Sequence, residues 1–151
     1  MKSQFPDSIF ALHQIRLIME TYRKMLRAKI HRAVVTDADL HYEGSLTIPP
    51  ELMELADIKE HEAISVWNVT RGTRFETYAM SGIGGSGEIC VNGAAAHLAG
   101  RGDVIIIASF SDVPETMVDE FKPTVVFVDE KNRPAGSRLE APGPHRTGDG
   151  C

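Results

Sequence analysis

Glu62-Ala63-Ile64-Ser65-Val66-Trp67-Asn68-Val69, followed across Arg71-Gly72 by Arg74-Phe75-Glu76-Thr77-Tyr78-Ala79-Met80, is the stretch that decides the fold class. The first run alternates and is rich in β-formers, so successive side chains fall on opposite faces of a strand. Arg71-Gly72 is the turn, and the second run returns as the partner strand of a hairpin.

The same pattern of short strands extends both ways. Upstream, residues 28–35 alternate loosely until Thr36-Asp37-Ala38-Asp39 breaks them, and Leu46-Thr47-Ile48 is a short strand ended by Pro49-Pro50. Pro50 suits the first turn of a helix, and residues 51–56 carry one or two amphipathic turns. Downstream, residues 81–87 hold four glycines and form a flexible loop. Residues 88–91 are the next strand, and Asn92-Gly93 turns into a short helix over 94–98. Residues 104–110 form an apolar strand buried on both faces, and residues 122–128 form the last strand. About seven short strands with two short helices predict a mainly-β fold, a small closed β-barrel.

The ends differ from this body. Residues 7–24 have helix-like apolar spacing behind an Asp-Ser start, so residues 1–24 read as an N-terminal extension, helical or disordered. Residues 25–130 are the barrel domain. Beyond Asp129 the chain turns charged, Pro- and Gly-rich and poor in apolar residues, which predicts a disordered tail over 131–151.

A chain of 151 residues can bury a core as one domain, and 42% hydrophobic with 25% charged residues is ordinary for a globular protein. No apolar run approaches the roughly 20 residues that span a bilayer, and the N-terminus lacks the apolar core of a signal peptide. Two cysteines, Cys90 and Cys151, make no disulfide framework, so a cytoplasmic location is expected. A net charge of −5 without a long basic run argues against nucleic acid. An anionic substrate would need local positive charge, for which Lys29, His31, Arg32 and Arg74 are the candidates. Six histidines and scattered acids show no metal-ligand spacing.

Asp39-Leu40-His41-Tyr42-Glu43-Gly44-Ser45-Leu46 is the stretch that carries chemistry. A Gly-Ser bond in a tight turn has an unencumbered carbonyl beside a hydroxyl able to add to it. If Ser45 Oγ attacks the Gly44 carbonyl, the amide becomes an ester. Elimination across Ser45 Cα–Cβ then breaks the chain, and hydrolysis leaves a ketone, a pyruvoyl group, on the new N-terminus. Gly-Ser by itself is more often a plain turn.

Four blocks in order give this reading its context: Lys29-Ile30-His31-Arg32; Ala38-Asp39-Leu40-His41-Tyr42-Glu43-Gly44-Ser45; Trp67-Asn68-Val69-Thr70 with Arg74-Phe75-Glu76-Thr77-Tyr78; and Val91-Asn92-Gly93-Ala94-Ala95-Ala96-His97. Over residues 25–114 the chain resembles the pyruvoyl-dependent aspartate 1-decarboxylases. The resemblance implies a six-stranded double-psi β-barrel with short helices, assembled as a homotetramer with active sites between subunits. It implies self-cleavage between Gly44 and Ser45, a covalent pyruvoyl cofactor derived from Ser45, and decarboxylation of L-aspartate to β-alanine for pantothenate and coenzyme A synthesis. Cleavage that is spontaneous and cleavage assisted by a maturation factor are both compatible with it.

The resemblance also implies roles residue by residue. An imine of the substrate amine with the ketone at Ser45 is the electron sink that loss of CO2 requires. Tyr78 is the proton donor to the resulting carbanion, and a phenol that stays neutral at pH 7 suits that task. Thr77 contributes to self-cleavage and substrate contact. Lys29 and Arg74 are the proposed carboxylate holders, Arg74 through its two-pronged guanidinium. Gly93, Ala94 and Ala95 contact substrate, while His31, Tyr42 and Asn92 support the site. Leu46 stands where relatives often carry a small residue or cysteine, and residues 82–87 lack the charged pair that many relatives have. Two rivals stand beside this reading. One is a hydrolase using Ser45 as nucleophile, with His31 or His41 as base but no nucleophile-elbow pattern. The other is an unprocessed, non-catalytic β-barrel that binds a small acidic ligand.

Overall fold

The computed structural model describes residues 20–139. The strands are β1 (Tyr22–Val34), β2 (Asp37–Asp39), β3 (Ser45–Ile48), β4 (Ala63–Asn68), β5 (Arg74–Ser81), β6 (Cys90–Asn92), β7 (Val104–Pro114), β8 (Thr124–Val128) and β9 (Pro134–Arg138). Helix α1 (Pro50–Ala56) and two 3-10 turns, Gly93–His97 and Glu115–Glu120, complete the regular structure of the described residues. No helix among them is long and apolar enough to cross a membrane.

The chain divides into two compact units. The smaller comprises residues 20–25 and 111–121, where Arg23 grips Glu115 through two hydrogen bonds of 2.6 and 2.8 Å. The larger, residues 26–110 and 122–139, holds every candidate site residue. Its core is built from the inward positions of alternating strands: Leu46 and Ile48, Ile64 and Val66, Ala79, Val91, Ile105 and Ile107, and Val126, sealed by Leu52, Met53 and Ala56 of α1. Each large side chain so buried stabilises the fold by roughly 1.5–3 kcal/mol.

The class is mainly β with short helices, as the alternation predicts. The strand order β2-β6-β3-β5-β4-β7-β1-β8-β9 forms a sheet that does not close on itself, where a closed six-stranded barrel was expected. Three parallel pairs join strands that are not neighbours in sequence: β1 with β8, β2 with β6, and β3 with β5. Such crossings are consistent with a double-psi barrel. The β4–β5 hairpin is antiparallel, with Ile64 opposite Thr77 and Trp67 opposite Arg74.

Local chemistry explains the element ends. Pro50 occupies the first position of α1, where its missing N–H costs nothing. The helix stops at Asp57, whose left-handed φ of 51° lets Ile58 N–H return to Met53 O at 2.8 Å. In β1, Ile30 and Ala33 are both fully buried although three residues apart. Arg32, at φ 64°, absorbs the extra residue that the two-residue period cannot accommodate.

Both expected ends need correction where they are described. The extension expected over residues 1–24, helical or disordered, lies mostly outside the described residues, and its last residues are strand, since β1 starts at Tyr22. The tail expected over 131–151 is ordered at its start. Asn132 is buried, accepts the Val34 N–H at 2.7 Å, and donates to Val34 O and Gly87 O at 2.8 Å each. That clasp secures the turn into β9, which pairs antiparallel with β8. Residues 140–151 lie outside the description.

Candidate active site

Ser45 begins β3 at the point where the chain passes from solvent into the core. Residues 40–44 form an exposed bend, started by an Asx turn in which Asp39 Oδ1 accepts the His41 N–H at 2.9 Å. Tyr42 is 60% exposed, whereas Ser45 is 1% exposed. Across the sheet Ser45 faces Asn92 and Thr47 faces Cys90, with Leu46 opposite Val91 on the other face. Strand alternation therefore gathers four polar side chains, Ser45, Thr47, Cys90 and Asn92, on one face. Asn92 is their hub: Nδ2 donates to Ser45 Oγ at 2.9 Å and to Thr47 Oγ1 at 3.1 Å, and Oδ1 accepts from Cys90 Sγ at 3.2 Å.

Gly93 closes the other side of the bend. It has φ +68°, and a Cβ there would lie 2.8 Å from Gly44 Cα and 3.0 Å from both Gly44 N and Tyr42 O. Only glycine lets the backbone of residue 93 come this close to Gly44 and the 42–44 bend. The result is a fixed serine hydroxyl adjoining a bare glycine carbonyl, with an amide donor on the hydroxyl oxygen. An amide cannot take up a proton, so the partner of Ser45 Oγ is not the base that a serine hydrolase needs.

Comparison with known proteins decides the family. The aspartate decarboxylase family profile matches residues 21–135. The chain belongs to the aspartate decarboxylase family. Aspartate 1-decarboxylase of Syntrophotalea carbinolica is 57% identical over 121 residues, covering 80% of this chain and 92% of that protein. The Legionella pneumophila protein of the same name is 62% identical over 112 residues, covering 74% and 84%. That of Myxococcus xanthus is 57% identical over 125 residues, covering 82% and 96%.

The remaining residues singled out by the family resemblance are held by other neighbours. Lys29 is 8% exposed on β1, in register with Val125 of β8. His31, half-buried, meets the Phe127 ring edge-on at 5.3 Å between centroids. It also lines a concavity of about 330 Å³ with Arg32, Val34, Val104, Phe127 and Asp129, and neither Ser45 nor Tyr78 borders that space. Arg74 lies over the Trp67 ring, 5.5 Å from its centroid. Thr77 is half-buried and Tyr78 is 37% exposed, so these neighbours take opposite faces of β5. Ala94 and Ala95 sit on the 3-10 turn after Gly93. One chain thus brings together Gly44, Ser45, Asn92 and Gly93, while Arg74 and Tyr78 keep partners of their own on the β4–β5 side.

Several residues of this region escaped the sequence reading. Thr47 and Cys90 carry no motif, although the signal was available: Ser-Leu-Thr and Cys-Val-Asn each put polar residues two apart around a buried aliphatic. His61, at φ 67°, meets the Tyr78 ring at 6.2 Å, brought there by mutual backbone bonds between residues 61–62 and Ala79. Asn68, within the third block, is structural. Its Nδ2 donates to Asp103 Oδ2 at 2.8 Å and Leu98 O at 3.1 Å, and its Oδ1 accepts the N–H groups of Thr70 and Arg71. Burial pushes the Asp103 carboxyl up, but hydrogen bonds from Gly100 N–H, Asn68 and Arg71 outweigh it and hold the pKa below the ordinary carboxylate value.

Proposed function

We propose that this chain decarboxylates L-aspartate to β-alanine, as a carboxy-lyase that first cuts itself between Gly44 and Ser45. Family membership supports the reaction, and the observation that carries the self-processing is the buried Ser45 hydroxyl fixed by Asn92 beside a Gly44 that Gly93 crowds. In the first step Ser45 Oγ bonds to the Gly44 carbonyl carbon, the Gly44–Ser45 C–N bond breaks, and the hydroxyl proton passes to the departing nitrogen. In the second, the Ser45 Cα proton is removed and the Cβ–Oγ bond breaks. Gly44 then leaves as a carboxylate whose new charge is shared by that Oγ. The Asn92 N–H already directed at Oγ is a preorganised donor for this charge. Water then replaces the nitrogen of the dehydroalanine end, with release of ammonia.

A pyruvoyl group made in this way would lie at residue 45, beside the Asn92 amide and the glycine at 93, and would supply the electron sink that loss of CO2 requires. In this reading Lys29 and Arg74 hold substrate carboxylate, the Tyr78 hydroxyl delivers a proton to the α-carbon, and Thr77 holds the scissile carbonyl or ester oxygen. Gly93, Ala94 and Ala95 line the substrate path, with His31 and Tyr42 supporting it. The distribution of these residues supports active sites shared between subunits of a homotetramer. A cytoplasmic role in pantothenate and coenzyme A synthesis, with or without a maturation factor, completes the proposal.

The deciding experiment is the intact mass of the purified protein under denaturing conditions. Two fragments split at Gly44/Ser45, the larger bearing a pyruvoyl in place of serine, together with β-alanine formed from aspartate, are the expected result. A single unbroken chain that makes no β-alanine after repurification, even following incubation with a cell lysate able to supply a maturation factor, would leave the non-catalytic barrel as the reading.

A further inference from the structure

We infer that Thr47 and Cys90 are positioning residues for maturation, locking the Asn92 amide so that its nitrogen, rather than its oxygen, faces Ser45 Oγ. The inference rests on the self-processing reading above and adds two residues that act through a third. The two residues face each other across β3 and β6, each two positions from the Ser45/Asn92 pair. The Asn92 amide lies between them and is 4% exposed, so its hydrogen bonds come from these neighbours.

The orientation matters because an amide has two ends of opposite character. With Nδ2 toward Ser45, its two protons reach Ser45 Oγ and Thr47 Oγ1, and Oδ1 lies on the Cys90 thiol. Rotated by half a turn, Oδ1 would accept from both hydroxyls and Nδ2 would meet sulfur, a weak acceptor. In that state a carbonyl lone pair faces the oxygen that becomes negatively charged as Gly44 departs, which raises the barrier to chain scission. Hydroxyls can donate or accept, so Ser45 and Thr47 alone do not choose between the two states. The thiol chooses, since its proton is satisfied by Oδ1 and opposed by Nδ2. Burial, and then the carboxylates of Asp37, Glu88 and Asp39, push the Cys90 thiol pKa up, so it stays a donor at neutral pH. Thr47 adds the second acceptor that makes the chosen state complete.

Two measurements test this. The first is the rate at which the full-length chain splits after cell-free synthesis, followed by intact mass. Cys90→Ala and Thr47→Val should each slow splitting about tenfold, the effect of losing one buried hydrogen-bond partner, while Cys90→Ser, which keeps a proton for Oδ1 but can also accept, should slow it less than Cys90→Ala does. The second is the Asn92 side-chain amide resonance in a full-length Ser45→Ala chain, which cannot split. Cys90→Ala should move that resonance and speed its hydrogen exchange, and Cys90→Ser should do both to a smaller extent. Splitting at the parental rate in Cys90→Ala overturns the inference, as does equal slowing in Cys90→Ala and Cys90→Ser or an unmoved Asn92 amide. If the parental chain never splits, even with a cell lysate able to supply a maturation factor, the self-processing reading fails, and the amide measurement by itself decides whether Cys90 orients Asn92. Melting curves of all variants exclude loss of fold as the cause of a slow rate.

Discussion

Asn68 and Asn92 are both buried asparagines at strand ends, yet their partners differ in kind. Asn68 spends its amide on Leu98 O, the Thr70 and Arg71 N–H groups, and the carboxylate of Asp103. Asn92 spends its amide on two hydroxyls and a thiol. Backbone partners cannot react or rotate, so Asn68 fastens the β4–β5 turn to the 98–103 loop. The hydroxyl partners of Asn92 can exchange donor and acceptor roles, and the amide lies directly on the Ser45 hydroxyl. The same side chain thus serves stability in one region and, in our proposal, chemistry in the other.

The comparison breaks most visibly in a pair of variants. Asn92→Ala should reduce self-cleavage by about a hundredfold or more, the scale of losing a preorganised donor to a developing oxyanion, with a smaller loss of stability than in Asn68→Ala, because the hydroxyls it leaves behind can rotate toward other partners. Asn68→Ala should do the reverse. It leaves Leu98 O, two N–H groups and the Asp103 carboxylate short of a partner, at a cost of about 2–4 kcal/mol. Cleavage per folded molecule should stay at the parental rate. Cleavage rates from intact mass and unfolding curves in urea separate the two, and a pair of variants with the same profile would sink the distinction.

Gly93→Ala carries the next largest effect because it strikes the Asn92 region through the backbone. The added Cβ meets Gly44 at 2.8 Å, and φ +68° is costly for any residue with a side chain. A cost of about 1–3 kcal/mol is expected, drawn from the geometry of the 42–44 bend rather than from the core. Proteolysis at that bend should become faster while unfolding of the barrel strands, read by hydrogen exchange, stays unchanged.

Much of the fold was legible because strand alternation is a local signal. The β4–β5 hairpin, β3, Pro50 at the start of α1 and the apolar run in β7 all follow from residues close in sequence. Ser45, Asn92 and Gly93 were legible through the four blocks of family resemblance. β9 was not, because residues 134–138 are exposed throughout and owe their order to the Asn132 clasp on Val34 and Gly87. Sequence composition cannot register a single distant amide. Thr47 and Cys90 left a local trace, polar residues two apart around an aliphatic, but their meeting depends on the β3–β6 register. His61 reaches Tyr78 only through the pairing of residues 61–62 with Ala79.

The Asn68 region should also show itself in pH dependence. Asp103 has a folded pKa below its unfolded value near 3.9. A depressed carboxylate contributes stability that is fully present above the unfolded pKa and is lost as pH falls through the folded one. Stability should therefore decline from about pH 4 downward, and Asp103→Asn should flatten that decline while lowering stability at pH 7. Exposed Asp57 is shifted in the same direction by Lys59, so the test is the difference between parent and variant, not the shape of either curve.

Arg71→Ala should have the smallest effect, and its size sharpens the comparison. Arg71 Nε lies 2.7 Å from Asp103 Oδ2, but the arginine side chain is 49% exposed while that of Asp103 is 7%. Solvent screens the pair, and water can replace the lost guanidinium, so about 0.5–1 kcal/mol is expected. Asp103 keeps the Asn68 and Gly100 donors, both at 2.8 Å, when the arginine is gone. A neutral amide in the interior should therefore outweigh a full charge at the surface by severalfold. If Arg71→Ala instead costs as much as Asn68→Ala in urea unfolding, the region is held by its ion pair, and burial rather than charge is the wrong basis for ranking its contacts.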